Sequence, residues 1–136
     1  MRITTEWLVQ DRVLYSHFTG RLTVEDVRHW LDTLQRLTCC TEGVHHISNG
    51  LAIEGVDFSL TDLQRLMRYV SVRPTIGWHI EVTTNSFHQM LSSLGCRFLG
   101  VKTKAFPDVE SAINFLMWTD PSLNTEQPHT SEPDPR

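Results

Sequence analysis

The stretch GVHHISNG, residues 43–50, gathers the side chains best suited to chemistry: His45, His46, Ser48 and Asn49. Imidazoles can hold a metal or move a proton, and a serine beside a base can act as a nucleophile. Further along, TIGWHIEVT adds His79 and Glu81, and three cysteines stand at Cys39, Cys40 and Cys96. A zinc site asks for C-x-x-C or H-E-x-x-H spacing, and neither occurs. The vicinal Cys39-Cys40 pair is not a redox spacing, and an odd cysteine count argues against a disulfide framework. These thiols are expected to act as small apolar residues. A hydrolase would need a nucleophile, a base and an oxyanion site within hydrogen-bond reach. Ser48 and His79 offer the first two, but no G-x-S-x-G elbow is present. Two positions apart on one strand, His79 and Glu81 stand roughly 7 Å from each other, too far for direct hydrogen bonding in ideal geometry. No enzyme activity, catalytic residue, metal site or cofactor is therefore expected.

These residues need elements to position them, and the chain is long enough for one domain: 136 residues, 40% apolar and 21% charged. That balance fits neither a disordered chain nor a membrane protein, and no apolar run approaches the roughly 20 residues that span a bilayer. The opening MRITTEWLVQDR lacks an apolar stretch followed by a small-residue cleavage site, so a cytoplasmic location is expected. A formal charge of −4 with scattered basic residues gives no reason to expect nucleic acid or anionic lipid as a partner.

Alternation and clustering of β-formers predict an antiparallel hairpin at 3–9 and 12–19, broken by Gln10-Asp11. Thr23 caps a helix over 23–38, with Val27, Leu31, Leu34 and Leu37 on one stripe. VHHISN is the third strand, and residues 51–58 form an irregular connection. Ser59, with Asp62 three residues on, opens a second helix carrying Leu63, Leu66, Met67 and Val70 inward. Pro74 stops it and starts the fourth strand, TIGWHIEVT. Asn85 caps a third helix with Phe87, Met90, Leu91 and Leu94 on its buried side, and Gly95 is placed at its left-handed C-terminal position. CRFLGVKTKAF is the fifth strand. Pro107-Asp108 opens the last helix. The expected fold is a single α/β domain over 1–118, with a five-stranded mixed sheet in the order β-β-α-β-α-β-α-β-α and helices mainly on one face. The proline-rich residues 119–136 are read as a flexible tail.

The fourth strand puts Ile76, Trp78, Ile80 and Val82 on one side and Gly77, His79 and Glu81 on the other. Helices are expected on the apolar side, with the second face polar or only partly covered. The same alternation sends His45 and His46 to opposite faces, so the doublet cannot clamp one metal. The histidine sharing a helix-covered face with Val44 is His46, and it would need a hydrogen-bond partner.

The element order, together with YSHFTGRLTVEDV at the first helix and VKTKAFPDVESAINFL at the end, resembles the STAS superfamily of anti-sigma-factor-antagonist-like domains and their Sec14-like relatives. The resemblance covers residues 3–118. It implies a regulatory, protein-binding domain and, through the Sec14-like relatives, an alternative as a binder of a small apolar or lipid-like ligand. Phosphorylated members carry an Asp-Ser-Ser-Gly-like loop after the third strand. Here the matching residues are Ile47-Ser48-Asn49-Gly50, so asparagine stands at the acceptor position; Ser48 and Ser59 remain as candidate acceptors. The expected function is a non-enzymatic interaction or regulatory module, self-associating as a homodimer. The ligand alternative draws on Trp7, Trp30, Phe58, Trp78 and Phe87, with the 51–58 connection as a lid. A pocket is expected at the carboxyl ends of the strands, between Ser48-Asn49-Gly50, Phe58 and Thr83-Thr84-Asn85.

Overall fold

Strand order in space follows strand order in the chain, and that determines where the helices go. The computed structural model of the protein describes residues 2–68 and 76–123. It runs β1 (Ile3–Val9), β2 (Val13–Leu22), α1 (Val24–Thr38), β3 (Val44–Val56), α2 (Leu60–Arg68), β4 (Ile76–Val82), α3 (Ser86–Leu99), β5 (Lys102–Phe106) and α4 (Val109–Thr119). β1 pairs with β2 antiparallel, and β2 through β5 pair in parallel. Each parallel step moves one strand in the same direction. Right-handed crossovers therefore place α1, α2 and α3 on one face of the sheet. α4, which follows the last strand, covers the other.

The two faces differ from the expected arrangement. α4 buries Ala112 and Leu116 against Val13, Ile47, Ile80 and Val82, the apolar side of the strands. The three other helices lie over the side that carries Ser16, His46, Ser48, His79 and Glu81, all of them buried. The polar side is thus the more thickly covered one. Helix–helix contacts supply the missing apolar area: Val27 and Leu31 of α1, Leu63, Leu66 and Met67 of α2, and Leu91 of α3 form their own cluster.

Local chemistry explains most element ends. Thr23 Oγ1 accepts from Asp26 N–H while the Asp26 carboxylate accepts from Thr23 N–H, and Ser59 and Asp62 repeat the exchange at α2. Each such cap is worth about 1 kcal/mol. Two boundaries move from their expected positions. Residues 51–56 are not a lid but the second half of β3, paired with β2 as far as Leu22↔Val56. α3 runs through Gly95 and ends at Gly100, whose φ of 71° provides the left-handed cap. Cys96–Leu99 are therefore helical rather than the start of the last strand. With that extra turn the buried face of α3 includes Leu91 and Cys96, while Phe87 and Met90 are exposed. Val70 and Pro74 lie outside the described residues, as does the chain from residue 124 onward.

The residues just after α4 pack against the domain. Leu123 is 1% exposed within the α4-side core. Asp120 takes hydrogen bonds from Ser122 Oγ (2.6 Å), Arg12 (3.0 Å) and His45 (3.0 Å). The Ser122 and His45 bonds hold its carboxyl down at about 2.

His45 has a structural role on this side. The β3–β4 pairing slips between Val44↔Ile76 and His46↔His79. His45 Nδ1 accepts the Trp78 N–H at this slip (3.1 Å), which leaves its Nε2–H to reach Asp120. Gly77 makes room for the ring: a Cβ there would sit 2.8 Å from His45 Nδ1 and 3.1 Å from the Gly43 carbonyl. Gly77→Ala should therefore cost roughly 1–3 kcal/mol, read as a lower midpoint in urea unfolding. Unchanged stability would show that His45 does not plug the slip.

Candidate functional site

Strand alternation carries five polar residues to the face under α1–α3: Ser16 from β2, His46 and Ser48 from β3, and His79 and Glu81 from β4. They are not isolated. His46 Nδ1 and His79 Nδ1 are 3.0 Å apart and His46 Nε2 is 2.8 Å from Ser16 Oγ. Ser16 Oγ accepts the Trp30 Nε1–H (2.9 Å) and meets Thr5 Oγ1 at 2.8 Å. At the other end His79 Nε2 lies 3.4 Å from Glu81 Oε1. A chain of hydrogen bonds thus crosses four strands, from Thr5 on β1 to Glu81 on β4. Trp30, projecting from α1, covers both imidazoles, with ring centroids 5.4 Å from His46 and 6.1 Å from His79.

The two ends of the chain orient it. An indole N–H can only donate and a carboxylate can only accept. With Glu81 as the carboxylate, His79 donates from Nε2 and accepts at Nδ1. His46 then donates from Nδ1 and accepts the Ser16 hydroxyl at Nε2, and Thr5 donates to Ser16. Both nitrogens of each imidazole are then paired with both rings neutral. Burial, and then the neighbouring His79, push the His46 pKa well below the ordinary histidine value.

The expected 7 Å gap between His79 and Glu81 does not hold, because it measures backbone positions. Both side chains lean along the strand and meet. Even so, they do not complete a hydrolytic set with Ser48. Both ring nitrogens of His79 are engaged, by His46 and by Glu81, so neither is left to take a proton from Ser48. Among the described residues no three His, Cys, Asp or Glu side chains are grouped to hold a metal ion. His45 and His46 sit in opposite layers, on Asp120 and Ser16 respectively.

Glu81, His79 and Ser48 form the polar end of a cavity of about 130 Å3 between the sheet and α1–α3. Its walls are Phe18 and Leu22 of β2, Trp30, Leu31 and Leu34 of α1, Val56 and Phe58, Leu63 and Met67 of α2, and Leu91, Cys96 and Leu99 of α3. Burial pushes the Cys96 thiol up to about 11, so it enters the wall as an apolar group.

Of the residues expected to form a pocket, Ser48 and Phe58 line this cavity. The others have local duties at the strand ends. Asn49 donates to the Tyr15 hydroxyl (2.7 Å) and accepts from Leu51 N–H. Gly50 lies against Glu81 within β3. Thr83 Oγ1 accepts from Asn85 N–H, Thr84 is exposed, and Asn85 caps α3. Ser48 is 3% exposed, and Ser59 is exposed at the α2 cap. Of the aromatic set, Trp30 and Phe58 line the cavity, Trp78 packs toward α4 on Phe115, and Phe87 is exposed. Ser16 is the residue missed by the sequence reading. Its signal was a serine between Leu14 and Phe18 on one strand face.

The comparisons with known proteins speak to the fold. A solved structure of an uncharacterised protein from the DUF3478 family of Shewanella loihica PV-4, described as having a SpoIIAA-like fold, superposes with a TM-score of 0.58. The two share 17% identity over 84% of this chain and 91% of that one. The anti-sigma factor antagonist SpoIIAA in its unphosphorylated form aligns with a TM-score of 0.47 at 16% identity, over 84% of this chain and 96% of its own. No protein-family model and no curated protein matches. The chain therefore has a SpoIIAA-like fold, the α/β architecture that the sequence resemblance implied. No helix of the described residues is long and apolar enough to cross a membrane.

The state of His46 sets a pH dependence. Its pKa is depressed on folding, so the unfolded chain binds a proton that the folded chain refuses. The stability this confers is present above about pH 6.5 and is lost as the pH falls below that value. His46 should contribute up to about 1.4 kcal/mol per pH unit in that range, measured by urea unfolding at a series of pH values. His46→Gln should flatten the slope. An identical slope in the variant would contradict the assignment.

Proposed function

We propose that the protein is a non-catalytic binding module that takes a small, mainly apolar molecule into the cavity between the sheet and α1–α3. The observation that carries this reading is the composition of the cavity. Apolar walls from β2, α1, β3, α2 and α3 surround a short polar end, the usual make-up of a small-molecule site. α3 supports it independently. Gly95 stands inside the helix and lines the cavity, where a Cβ would meet nothing within 4 Å. Glycine in a helix interior costs about 1 kcal/mol relative to alanine. At this position the missing side chain widens the cavity.

The regulatory part of the reading follows the SpoIIAA-like fold, with occupancy of the cavity rather than a phosphate as the signal. Asparagine at position 49 and the burial of Ser48 favour that choice. We place self-association alongside it because Trp118 on α4 is 82% exposed and Leu8 on the edge strand is 43% exposed. Light scattering that returns a monomer at high concentration would remove the dimer without touching the cavity.

Gly95→Leu should fill the cavity and weaken uptake of a neutral apolar probe such as benzyl alcohol by about tenfold or more, equivalent to at least about 1.4 kcal/mol. Gly95→Ala should leave uptake near the parent value and raise stability. Calorimetry provides the readout. Equal binding by the parent and Gly95→Leu would place the ligand elsewhere.

A further inference from the structure

Glu81 is an acceptor without enough donors. It is 6% exposed, and His79 reaches only its Oε1, at the long distance of 3.4 Å. Oε2 receives no hydrogen bond among the described residues; it lies toward Gly50, whose added Cβ would stand 3.1 Å away. A carboxylate can accept about four hydrogen bonds, and burying one with a single neutral donor is costly. Among the described residues no lysine or arginine lines the cavity to offset it. A second unsatisfied group faces the same space: His88 lines the cavity from α3, and its Nδ1 is buried with no partner.

Resting on the apolar-ligand reading above, we infer that the cavity selects an amine: a compact apolar body carrying one protonated amino group that donates to Glu81 Oε2. An ammonium group brings three N–H donors and the opposite charge, which is what this end of the cavity lacks. A ligand carboxylate would meet Glu81 as a like charge, and an alcohol would bring a single neutral donor. The body is small. A cavity of about 150 Å3 elsewhere takes benzene, so about 130 Å3 suits a body of roughly one ring. The neighbouring hydrogen-bond chain positions the acceptor. His79 occupies Oε1 and is itself held by His46, so Oε2 is the oxygen left without a donor.

The test compares benzylamine, benzyl alcohol and benzoate, one ring with three heads, by calorimetry at constant ionic strength. The parent protein should bind benzylamine about 10- to 100-fold more tightly than benzyl alcohol, with benzoate weakest. Glu81→Gln keeps an acceptor for His79 and removes the charge. It should erase the advantage of the amine over the alcohol. If benzyl alcohol binds and the amine has no advantage, the amine inference falls while the apolar-ligand reading stands. Benzoate binding as tightly as benzylamine, or an advantage that survives Glu81→Gln, also overturns the inference. If none of the three binds, both readings fall. The ranking in the parent protein decides the matter even if the variant does not fold.

Discussion

The hydrogen bond between His46 and His79 joins two central parallel strands where both rings are buried, and much of the molecule is arranged to keep it satisfied. A buried imidazole must place two nitrogens, one as donor and one as acceptor. His46 does so with Ser16 and His79; His79 does so with His46 and Glu81. Ser16 then needs a donor, which Trp30 supplies from α1. The position of α1 over the sheet is thus tied to the polar centre as well as to the leucines of its stripe. Trp30 also packs edge-on against Phe18, which lines the cavity. Polar chain and apolar cavity share this wall, and both end at Glu81.

The same constraint explains why the sheet face under three helices is not apolar. Three consecutive right-handed crossovers over strands laid down in chain order put three helices on one side. They pack on one another as well as on the sheet, and this leaves a gap above the strand centres. An apolar strand face would be free to fill that gap by closing up. A polar row linked by hydrogen bonds resists collapse, because any shift breaks hydrogen bonds that burial has made expensive to lose. On the opposite side, where only α4 packs, Ile47, Ile80 and Val82 close on Ala112 and Leu116 and form the dense core.

Much of this was legible in the residues. Thr23, Ser59, Asn85 and Asp108 announce helix starts through hydroxyl, amide and carboxylate acceptors, and all four sit at or beside the observed starts. Period-two alternation correctly divides His45 from His46. It does not say which side of the sheet the helices take, because that depends on the strand order, a long-range property. The apolar row of β4 therefore looked like the helix-covered side. Residues 51–56 read as a loop because Gly55 and Asp57 are turn formers; pairing with β2 overrides that local weakness. Gly95 read as a helix end for the same reason, whereas it is a gap in a wall. The cavity itself has no sequence signature. Ser48 and Phe58 were found through their loop-like neighbours, and Glu81 was set aside because strand spacing ignores how far a glutamate reaches.

The most direct measurement is a long-range proton–nitrogen correlation spectrum of the imidazoles at neutral pH. The two adjacent histidines should be opposite tautomers: His45 protonated at Nε2, where it meets Asp120, and His46 protonated at Nδ1, where it meets His79. His79 should carry its proton on Nε2, toward Glu81. A doubly protonated His46, or a doublet sharing one tautomer and titrating together, would contradict the account.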